Sequence, residues 1–244
     1  MVIDVGGTTA DVGQLKNGFP REANSVVKIG GVRTLFRMPD LLSIGLGGGS
    51  HVSLDPLKVG PVSVGYRLLK DGIAFGGKQL TTTDVAVAAG ILDLGDRSKV
   101  AYLDEATCQK VFGEAARLAE EAIDRMKTEA ADVPLIAVGG GAFLIPEKLP
   151  GVSQVIHVEH GDCANAVGAA IAQVAGECDQ IFKDLTRRDA ISAASDIAND
   201  RAVAAGADRA TLQTIESEDM PLAYLPGNSV RVRVRVVGDV KATA

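Results

Sequence analysis

Hydrophobic and polar positions alternate over short stretches near the start of the chain and recur with helical spacing in its middle. Short runs near residues 1–5, 10–16 and 25–32 predict an antiparallel meander, because the side chains of a strand point alternately to its two faces. Over residues 104–131, apolar residues recur every three or four positions, which predicts a long amphipathic helix. The continuous apolar run at 134–138 predicts a buried strand. The pattern therefore predicts a mixed α/β fold.

Further elements follow from the same patterns. Thr81-Thr82-Thr83-Asp84 precedes a run of valine and alanine and is a helix-start signal. Glycine and proline interrupt residues 58–80, where we expect a loop-rich excursion. The remaining predicted elements are strands at 154–159, 211–215 and 229–237 and helices at 166–175 and 184–206. In the last strand, arginine alternates with valine. Usually this indicates a half-exposed strand with its arginines in water, and the alternative is a basic stripe for a partner or an anionic ligand.

The candidate chemistry is concentrated in a loop after the first strand, where Asp4 and Asp11 stand seven positions apart. Between these carboxylates lie Gly6, Gly7, Thr8 and Thr9. The glycines let backbone N–H groups approach an anion, and the threonine hydroxyls can donate to phosphate oxygens. Two carboxylates suit a hydrated Mg²⁺. We expect a phosphate loop in which Asp4 and Asp11 are the catalytic residues and the magnesium ligands.

The residues that follow this loop identify its kind. Asn17-Gly18 is typical of a two-residue hairpin turn, so the phosphate loop joins two antiparallel strands. In a Walker or dinucleotide-binding site the glycines lead into a helix instead. No G-x-x-x-x-G-K-[ST] sequence occurs in the chain. The sequence therefore argues against both of those classes.

Two further glycine clusters and one group of polar residues are candidates for ligand binding. The first cluster consists of Gly47, Gly48, Gly49 and Ser50, and it is either a flexible connector or a backbone nest near a phosphate or substrate. The second consists of Gly139, Gly140 and Gly141 at the end of a strand, where open α/β sheets bind ligands; a strand-to-helix turn is the alternative. The spacing of His157, His160 and Asp162 would allow a metal site, although a strand residue followed by helix caps is the simpler interpretation.

Composition narrows the class of protein. The 244 residues are 46% hydrophobic but only 4% aromatic, so the core must consist of aliphatic side chains. A net charge of −6 argues against nucleic-acid binding. Three widely spaced cysteines indicate reduced thiols of a cytosolic protein. No apolar run is long enough to span a membrane, and no signal sequence is evident. We therefore expect a cytoplasmic protein without membrane or nucleic-acid partners.

The order and spacing of several motifs resemble the hydantoinase A/5-oxoprolinase family of the actin-like ATPase superfamily. They are the loop from Asp4 to Asp11, Ser43-Ile-Gly-Leu-Gly-Gly-Gly-Ser50, Val59-Gly-Pro61 and Val138-Gly-Gly-Gly141. The resemblance covers roughly residues 2–175. It implies an α/β, RNase H-like lobe whose mixed sheet, with an antiparallel N-terminal meander, is flanked by helices. We expect this lobe over 1–180, a small loop-rich insertion at 43–80, and a C-terminal helix and strands at 181–244 packing on the same domain.

The resemblance also implies an activity, the ATP-dependent opening of a cyclic amide such as a hydantoin or 5-oxoproline. In that family pattern the loop from Asp4 to Asp11 holds phosphate and Mg²⁺. The glycines at 139–141 pass under the adenosine, and residues 47–50 line the space near the phosphates or substrate. Family members carry a second such loop in an N-terminal lobe. We therefore expect this chain to be the C-terminal lobe, with the other lobe absent or supplied separately and possible help from a second hydrolase subunit. A small-molecule kinase and a non-catalytic regulatory lobe are the alternatives.

Overall fold

A computed structural model describes residues 1–16, 18–23, 27–34, 38–223 and 225–241. The chain forms two compact units, Met1–Asn165 and Ala166–Ala244. Within the described part of the chain, no helix has the length and apolar character needed to cross a membrane.

The first unit is built around a five-stranded mixed sheet. The strands of this unit, inside and outside that sheet, are β1 (Val2–Val5), β2 (Ala10–Gly13), β3 (Leu15–Lys16), β4 (Phe19–Pro20), β5 (Val27–Ile29), β6 (Val32–Thr34), β7 (Leu41–Ile44), β8 (Ser50–Leu54), β9 (Leu57–Ser63), β10 (Val133–Val138) and β11 (Val152–His157). The main sheet has the order β11-β10-β1-β2-β7. β10 and β11 run parallel to β1, whereas β2 pairs antiparallel with both β1 and β7. The predicted mixed sheet with an antiparallel start is confirmed, but the third strand expected near 25–32 is wrong: β7 takes that place, and β5 pairs with β6 in a separate two-stranded sheet.

Helices follow several of these strands along the chain. They are α1 (Leu68–Asp71), α2 (Thr82–Ala88), α3 (Glu105–Met126) and α4 (Ala164–Ala170), with 3-10 turns at Gly65–Arg67, Ile73–Phe75, Arg97–Val100, Ala142–Leu144 and Gly161–Cys163. α3 begins at the side-chain cap of Asp104, which accepts from the N–H of Thr107. Its apolar stripe is buried in one core with Ile3 and Val12 of the sheet. These strand residues are fully buried because the pleat directs them to the same face.

The loop-rich stretch expected over 58–80 begins with a strand. β9 pairs antiparallel with β8, and Val52 stands opposite Val59. Sequence patterning misses this strand because Gly60-Pro61 lies inside it, and proline and glycine argue against a strand interior. After β9 the expected irregular path follows as short helical turns. β3 pairs with β4 around the predicted hairpin turn, of which Asn17 lies outside the described residues.

The second unit is a three-stranded antiparallel sheet with one long helix. It contains β12 (Val174–Phe182), α5 (Arg187–Ala204), a 3-10 turn at Arg209–Thr211, β13 (Gln213–Pro221) and β14 (Val230–Gly238), with strand order β12-β14-β13. The buried face of α5 is an alanine stripe, and it packs on the valines of β14. A side chain at Gly176 would meet the Ala198 carbonyl oxygen at 2.1 Å, so helix and sheet approach closely. Small residues on both elements permit this spacing.

The structure differs from the sequence expectation at β12. The small-residue helix predicted over 166–175 ends at Ala170, and β12 follows from Val174 and pairs along its whole length with β14; the first compact unit ends at Asn165 and not at 180. The arginines of β14 are matched by carboxylates of the neighbouring strands. The ion pairs are Arg231–Asp179, Arg233–Glu216 and Arg235–Glu177. This pairing is a long-range feature that the composition of β12 alone does not reveal.

Candidate functional site

Two carboxylates face each other on the solvent side of the first hairpin. Asp4 of β1 and Asp11 of β2 are direct register partners, which places their Cβ atoms about 4.5–5.5 Å apart. Their strand neighbours Ile3 and Val12 point into the core and are fully buried. The alternation of each strand therefore sends both carboxylates to the same, partly open face. Among the described residues, neither carboxylate forms an ion pair with a basic side chain.

One side-chain donor orients each carboxylate. Ser43 of β7 is the register partner of Asp11, and its Oγ donates a hydrogen bond to Asp11 Oδ1. Asn165 of α4 donates from Nδ2 to Asp4 Oδ2 at 3.1 Å. Neither donor is predicted as a site residue from the sequence. Asn165 is 161 positions from its partner and resembles an ordinary residue at a helix start, so no local signal identifies it.

The phosphate loop between the two strands is closed by a backbone hydrogen bond at its base, and its outer side is exposed to solvent. The N–H of Gly6 donates to the Thr9 carbonyl oxygen at 2.9 Å. Gly7, Thr8 and Thr9 are exposed, and within the described part of the chain their N–H groups donate to no other residue. A Cβ at Gly7 would meet no atom within 4 Å. The loop thus presents free donors and an unfilled space next to Asp4 and Asp11, the arrangement that an anion requires.

The second glycine cluster packs against the phosphate loop, and all of its N–H groups already donate hydrogen bonds within the protein. Gly48 and Gly49 donate their N–H groups to the carbonyl oxygens of Gly6 and Gly7, at 2.9 and 2.7 Å. The N–H of Gly47 donates to Ser50 Oγ, and that of Ser50 donates to the Gly47 carbonyl oxygen. All four residues are buried. No N–H group of this cluster remains for a phosphate.

The start of α2 holds this second cluster in place. Thr82 Oγ1 donates to the carbonyl oxygens of Gly47 and Gly48, at 2.6 and 2.8 Å, and Thr83 Oγ1 donates to Gly48 at 2.7 Å. The predicted helix-start signal is a full capping box between Thr81 and Asp84, which confirms the helix and its first turn. Two layers of backbone therefore support the phosphate loop from below.

The third glycine cluster is in contact with the first carboxylate. Gly139 has a φ of +89°, and a side chain there would approach Asp4 Oδ1 and the Val5 carbonyl oxygen at 2.4 Å. Its N–H donates to the Gly161 carbonyl oxygen, and the N–H of Gly141 donates to Val5. Gly140 is exposed, and a Cβ there would meet nothing within 4 Å. The strand end thus comes against the phosphate hairpin and leaves open space at Gly140.

The donor set fits a hydrated magnesium ion better than a metal held entirely by protein. Asp4 and Asp11 offer two carboxylates on one face, and magnesium is usually bound by one or two carboxylates plus phosphate oxygens and water. In the described chain, no three His, Cys, Asp or Glu side chains cluster closely enough to hold a metal. His157, His160 and Asp162 therefore do not form the metal trio that their spacing would allow.

Comparison with known proteins adds a family match and two fold neighbours. Residues 1–110 match the family described as Hydantoinase/oxoprolinase. No curated protein sequence matches the chain. The nucleotide-free structure of acetone carboxylase, an enzyme of ATP-dependent acetone carboxylation, is 18% identical over 99% of this chain and has a TM-score of 0.62. An ATP-dependent caprolactamase from Pseudomonas jessenii shares 16% over 99% with a TM-score of 0.63. The chain spans 46% of each neighbour, and the shared fold confirms the predicted mixed α/β fold class.

Proposed function

We propose that this chain is the nucleotide-binding lobe of an ATP-dependent enzyme that opens a cyclic amide, because residues 1–110 match the hydantoinase/oxoprolinase family. The observation that carries the proposal is the pair Asp4 and Asp11, facing each other beside a loop with free N–H donors. The ATP dependence of both fold neighbours supports it. The overall reaction converts ring amide, ATP and water into a ring-opened acid, ADP and phosphate.

We assign roles from the geometry of the hairpin. The N–H groups of Gly7, Thr8 and Thr9, with the threonine hydroxyls, bind phosphate oxygens. Asp4 and Asp11 hold Mg²⁺ or its water ligands. Mg-ATP would supply a phosphoryl group to the amide oxygen and so make the ring carbon electrophilic; water would then add to that carbon, the ring C–N bond would break with the nitrogen leaving as the amine, and a second water would release the phosphate. The chain positions this group and compensates its charge, which is where catalysis of phosphoryl transfer originates.

Three other groups of residues support the binding of Mg-ATP, directly or through the phosphate loop. Ser43 and Asn165 each occupy one carboxylate oxygen and so orient the remaining oxygens toward the open face. The cluster at 47–50 acts as a rigid backing for the phosphate loop and does not contact nucleotide, because its N–H groups are all committed. Gly140 leaves room for the nucleoside. The nucleoside contact expected for all three glycines at 139–141 is therefore proposed for Gly140 alone.

A second lobe completes the proposed enzyme. The chain spans 46% of its fold neighbours, and half a phosphate clamp cannot by itself exclude water and preorganise transfer. We propose that the complementary lobe belongs to the same or a separate polypeptide and closes over the open face of the hairpin. The substrate is a small cyclic amide.

Calorimetric titration with Mg-ATP tests the nucleotide site. Asp4→Asn and Asp11→Asn should each weaken binding about tenfold or more, since each removes a charged ligand of magnesium. Asp124→Asn, at an exposed position of α3, is the matched control and should bind like the unaltered chain. Absence of Mg-ATP binding to the unaltered chain, or equal binding by all variants, would contradict the proposal.

Product analysis in the presence of the complementary lobe distinguishes the proposed hydrolase from a small-molecule kinase. Release of phosphate together with a ring-opened acid supports the hydrolase. A stable phosphorylated substrate would instead assign the chain to a kinase, and no turnover at all would assign it to a regulatory lobe.

A further inference from the structure

Hydrogen bonds join the phosphate loop to the start of α2 through two successive layers of backbone. The outer layer is the loop itself, whose exposed residues include Gly7 and Thr8. The inner layer is the buried cluster at 47–50, and beneath it Thr82 and Thr83 are buried as well. Rigid support by the inner layer does not depend on the direction of these hydrogen bonds, but the strength of the outer N–H donors does.

Each carbonyl oxygen that accepts a hydrogen bond also fixes the N–H group of the same peptide. A trans peptide is planar, and its C=O and N–H bonds point in opposite directions. The glycine peptides of both layers are trans. An N–H group opposite an anchored carbonyl is therefore held in one direction. It is also polarised, because consecutive hydrogen bonds strengthen one another.

One series of such hydrogen bonds, which we name the Thr8 relay, ends at the N–H of Thr8. Thr83 Oγ1 donates to the Gly48 carbonyl oxygen at 2.7 Å. The N–H of that same peptide belongs to Gly49, and it donates to the Gly7 carbonyl oxygen at 2.7 Å. The N–H on the other side of this last peptide is that of Thr8, which donates to no other residue in the described part of the chain. The Thr8 relay therefore runs in one direction, from a buried hydroxyl to a donor at the surface.

A second series, the Gly7 relay, ends at the N–H of Gly7. Thr82 Oγ1 donates to the carbonyl oxygens of Gly47 and Gly48, at 2.6 and 2.8 Å, so this hydroxyl serves both relays. The N–H of Gly48 lies opposite the Gly47 carbonyl and donates to the Gly6 carbonyl oxygen at 2.9 Å. The N–H opposite that carbonyl is the one of Gly7. Both relays thus direct their last N–H group away from the buried cluster.

Ser63, at the end of β9, adds a second donor to the Thr8 relay alone. Its Oγ donates to the Gly7 carbonyl oxygen at 3.2 Å and accepts from the N–H of Gly65 at 3.0 Å. Because Gly65 occupies the hydroxyl as a donor, the hydroxyl hydrogen is available for Gly7. The two relays can therefore be altered separately.

We propose that Thr82 and Thr83 are positioning residues of the phosphate loop, which orient and polarise the N–H donors of Gly7 and Thr8 from two peptides away. The inference rests on the proposed function for the identity of the anion as a nucleotide phosphate. Donors that are aligned before the anion arrives need no reorganisation when it binds. Neither threonine touches the nucleotide, so the direction of the hydrogen bonds carries the effect.

Amide NMR resonances of the full chain, recorded without nucleotide, test the relays directly, because a peptide nitrogen is deshielded when its carbonyl accepts a hydrogen bond. Thr83→Val keeps the branched shape of the side chain and removes its hydroxyl. We expect the nitrogen resonance of Thr8 to move upfield in this variant and that of Gly7 to stay, whereas Thr82→Val should move both. Thr83→Ser keeps the hydroxyl and should restore the resonance of the unaltered chain.

Calorimetric titration with Mg-ATP tests the consequence for binding. The affinity should fall about two- to fivefold in Thr83→Val and in Thr82→Val, because each substitution weakens phosphate donors without removing them. Ser63→Ala, at a half-buried position, should act like Thr83→Val and provides a second test if a buried variant does not fold. Thr211→Val is the matched control: it removes a hydroxyl that donates to a backbone carbonyl oxygen in the second unit, and it should change neither the resonances nor the affinity.

Several results would overturn the relays. They are an unmoved Thr8 resonance in Thr83→Val and Ser63→Ala, equal displacement of the Gly7 and Thr8 resonances in Thr83→Val, and unchanged Mg-ATP affinity despite a displaced resonance. Failure of Thr83→Ser to restore the resonance would assign the effect to packing and also overturn them. Absence of Mg-ATP binding to the unaltered chain would contradict the proposed function instead, and the resonances would still decide whether the relays exist.

Discussion

Substitution of Gly47 by alanine should destabilise the first unit, because there is no space for a methyl group between the two glycine clusters. The new Cβ would lie 2.6 Å from the Gly6 carbonyl oxygen and from the Thr8 N, both backbone atoms of the phosphate loop. Ordinary contact begins at 3.4 Å, so the loop must move by about 0.8 Å, the difference between 3.4 and 2.6. The loop is held by hydrogen bonds on both sides and has little freedom to do so.

The expected cost of Gly47→Ala is about 1–3 kcal/mol, the usual range for overpacking a filled site. For a unit of this size, each kcal/mol lowers Tm by about 2–4 °C, so Tm should fall by about 2–12 °C. Circular dichroism during thermal unfolding in the absence of nucleotide measures this shift. Mg-ATP affinity should fall as well, since the displaced loop carries the phosphate donors.

Gly7→Ala is the informative control, because a Cβ there meets nothing within 4 Å. Its stability should stay within about 0.5 kcal/mol of the unaltered chain, as for other surface substitutions. Nucleotide affinity should nevertheless fall, since the methyl group occupies the space above the loop. An unchanged Tm for Gly47→Ala, or the same loss of stability in both variants, would refute the division into a supporting cluster and a binding loop.

Three further predictions follow from individual contacts. Asp84→Asn should cost about 2–3 kcal/mol in urea unfolding, because the buried carboxylate accepts several N–H donors and an amide NH₂ cannot accept them. Asn165→Ala should weaken Mg-ATP binding about three- to tenfold without lowering Tm, because this exposed side chain only orients Asp4; unchanged affinity would argue against that role. In the second unit, hydrogen bonds from Arg187 hold the pKa of Asp219 below its ordinary value of 3.8. The contribution of this pair to stability is therefore present above the unfolded pKa and is lost as pH falls through the lower folded pKa; carboxyl NMR titration should find the midpoint nearer 3.8 in Arg187→Gln, and an unmoved midpoint would contradict this cause.

Local sequence patterns were sufficient to predict much of the first unit. The hairpin from Asp4 to Asp11 could be predicted because its two strands are adjacent in sequence, and the alternation of each strand decides which face receives the carboxylates. The same holds for α3, whose apolar stripe has helical spacing, and for the capping box at Thr81. In each case the decisive interactions join residues only a few positions apart.

Strand pairing over long distances escaped sequence reasoning. β12 has few β-branched residues, and it is a strand because β14 pairs with it from a distant part of the sequence, from Val174 with Gly238 to Phe182 with Val230. The arginines of β14 have a half-exposed strand pattern in the sequence, but the carboxylates that match them are contributed by two other strands. Neither feature has a signature within its own segment.

The phosphate loop shows most clearly which features local sequence determines and which depend on tertiary contacts. The sequence by itself determined that Asp4 and Asp11 flank the loop of a tight hairpin, and it predicts an anion-binding role for that loop, because spacing and residue type along one short stretch specify both. Only the tertiary structure decided that the cluster at 47–50 backs the loop and that Asn165 reaches Asp4. Glycine-rich segments look alike in sequence whether their N–H groups are free or committed. Their roles depend on which distant backbone lies within hydrogen-bonding distance, and that is settled only when the sheet is assembled.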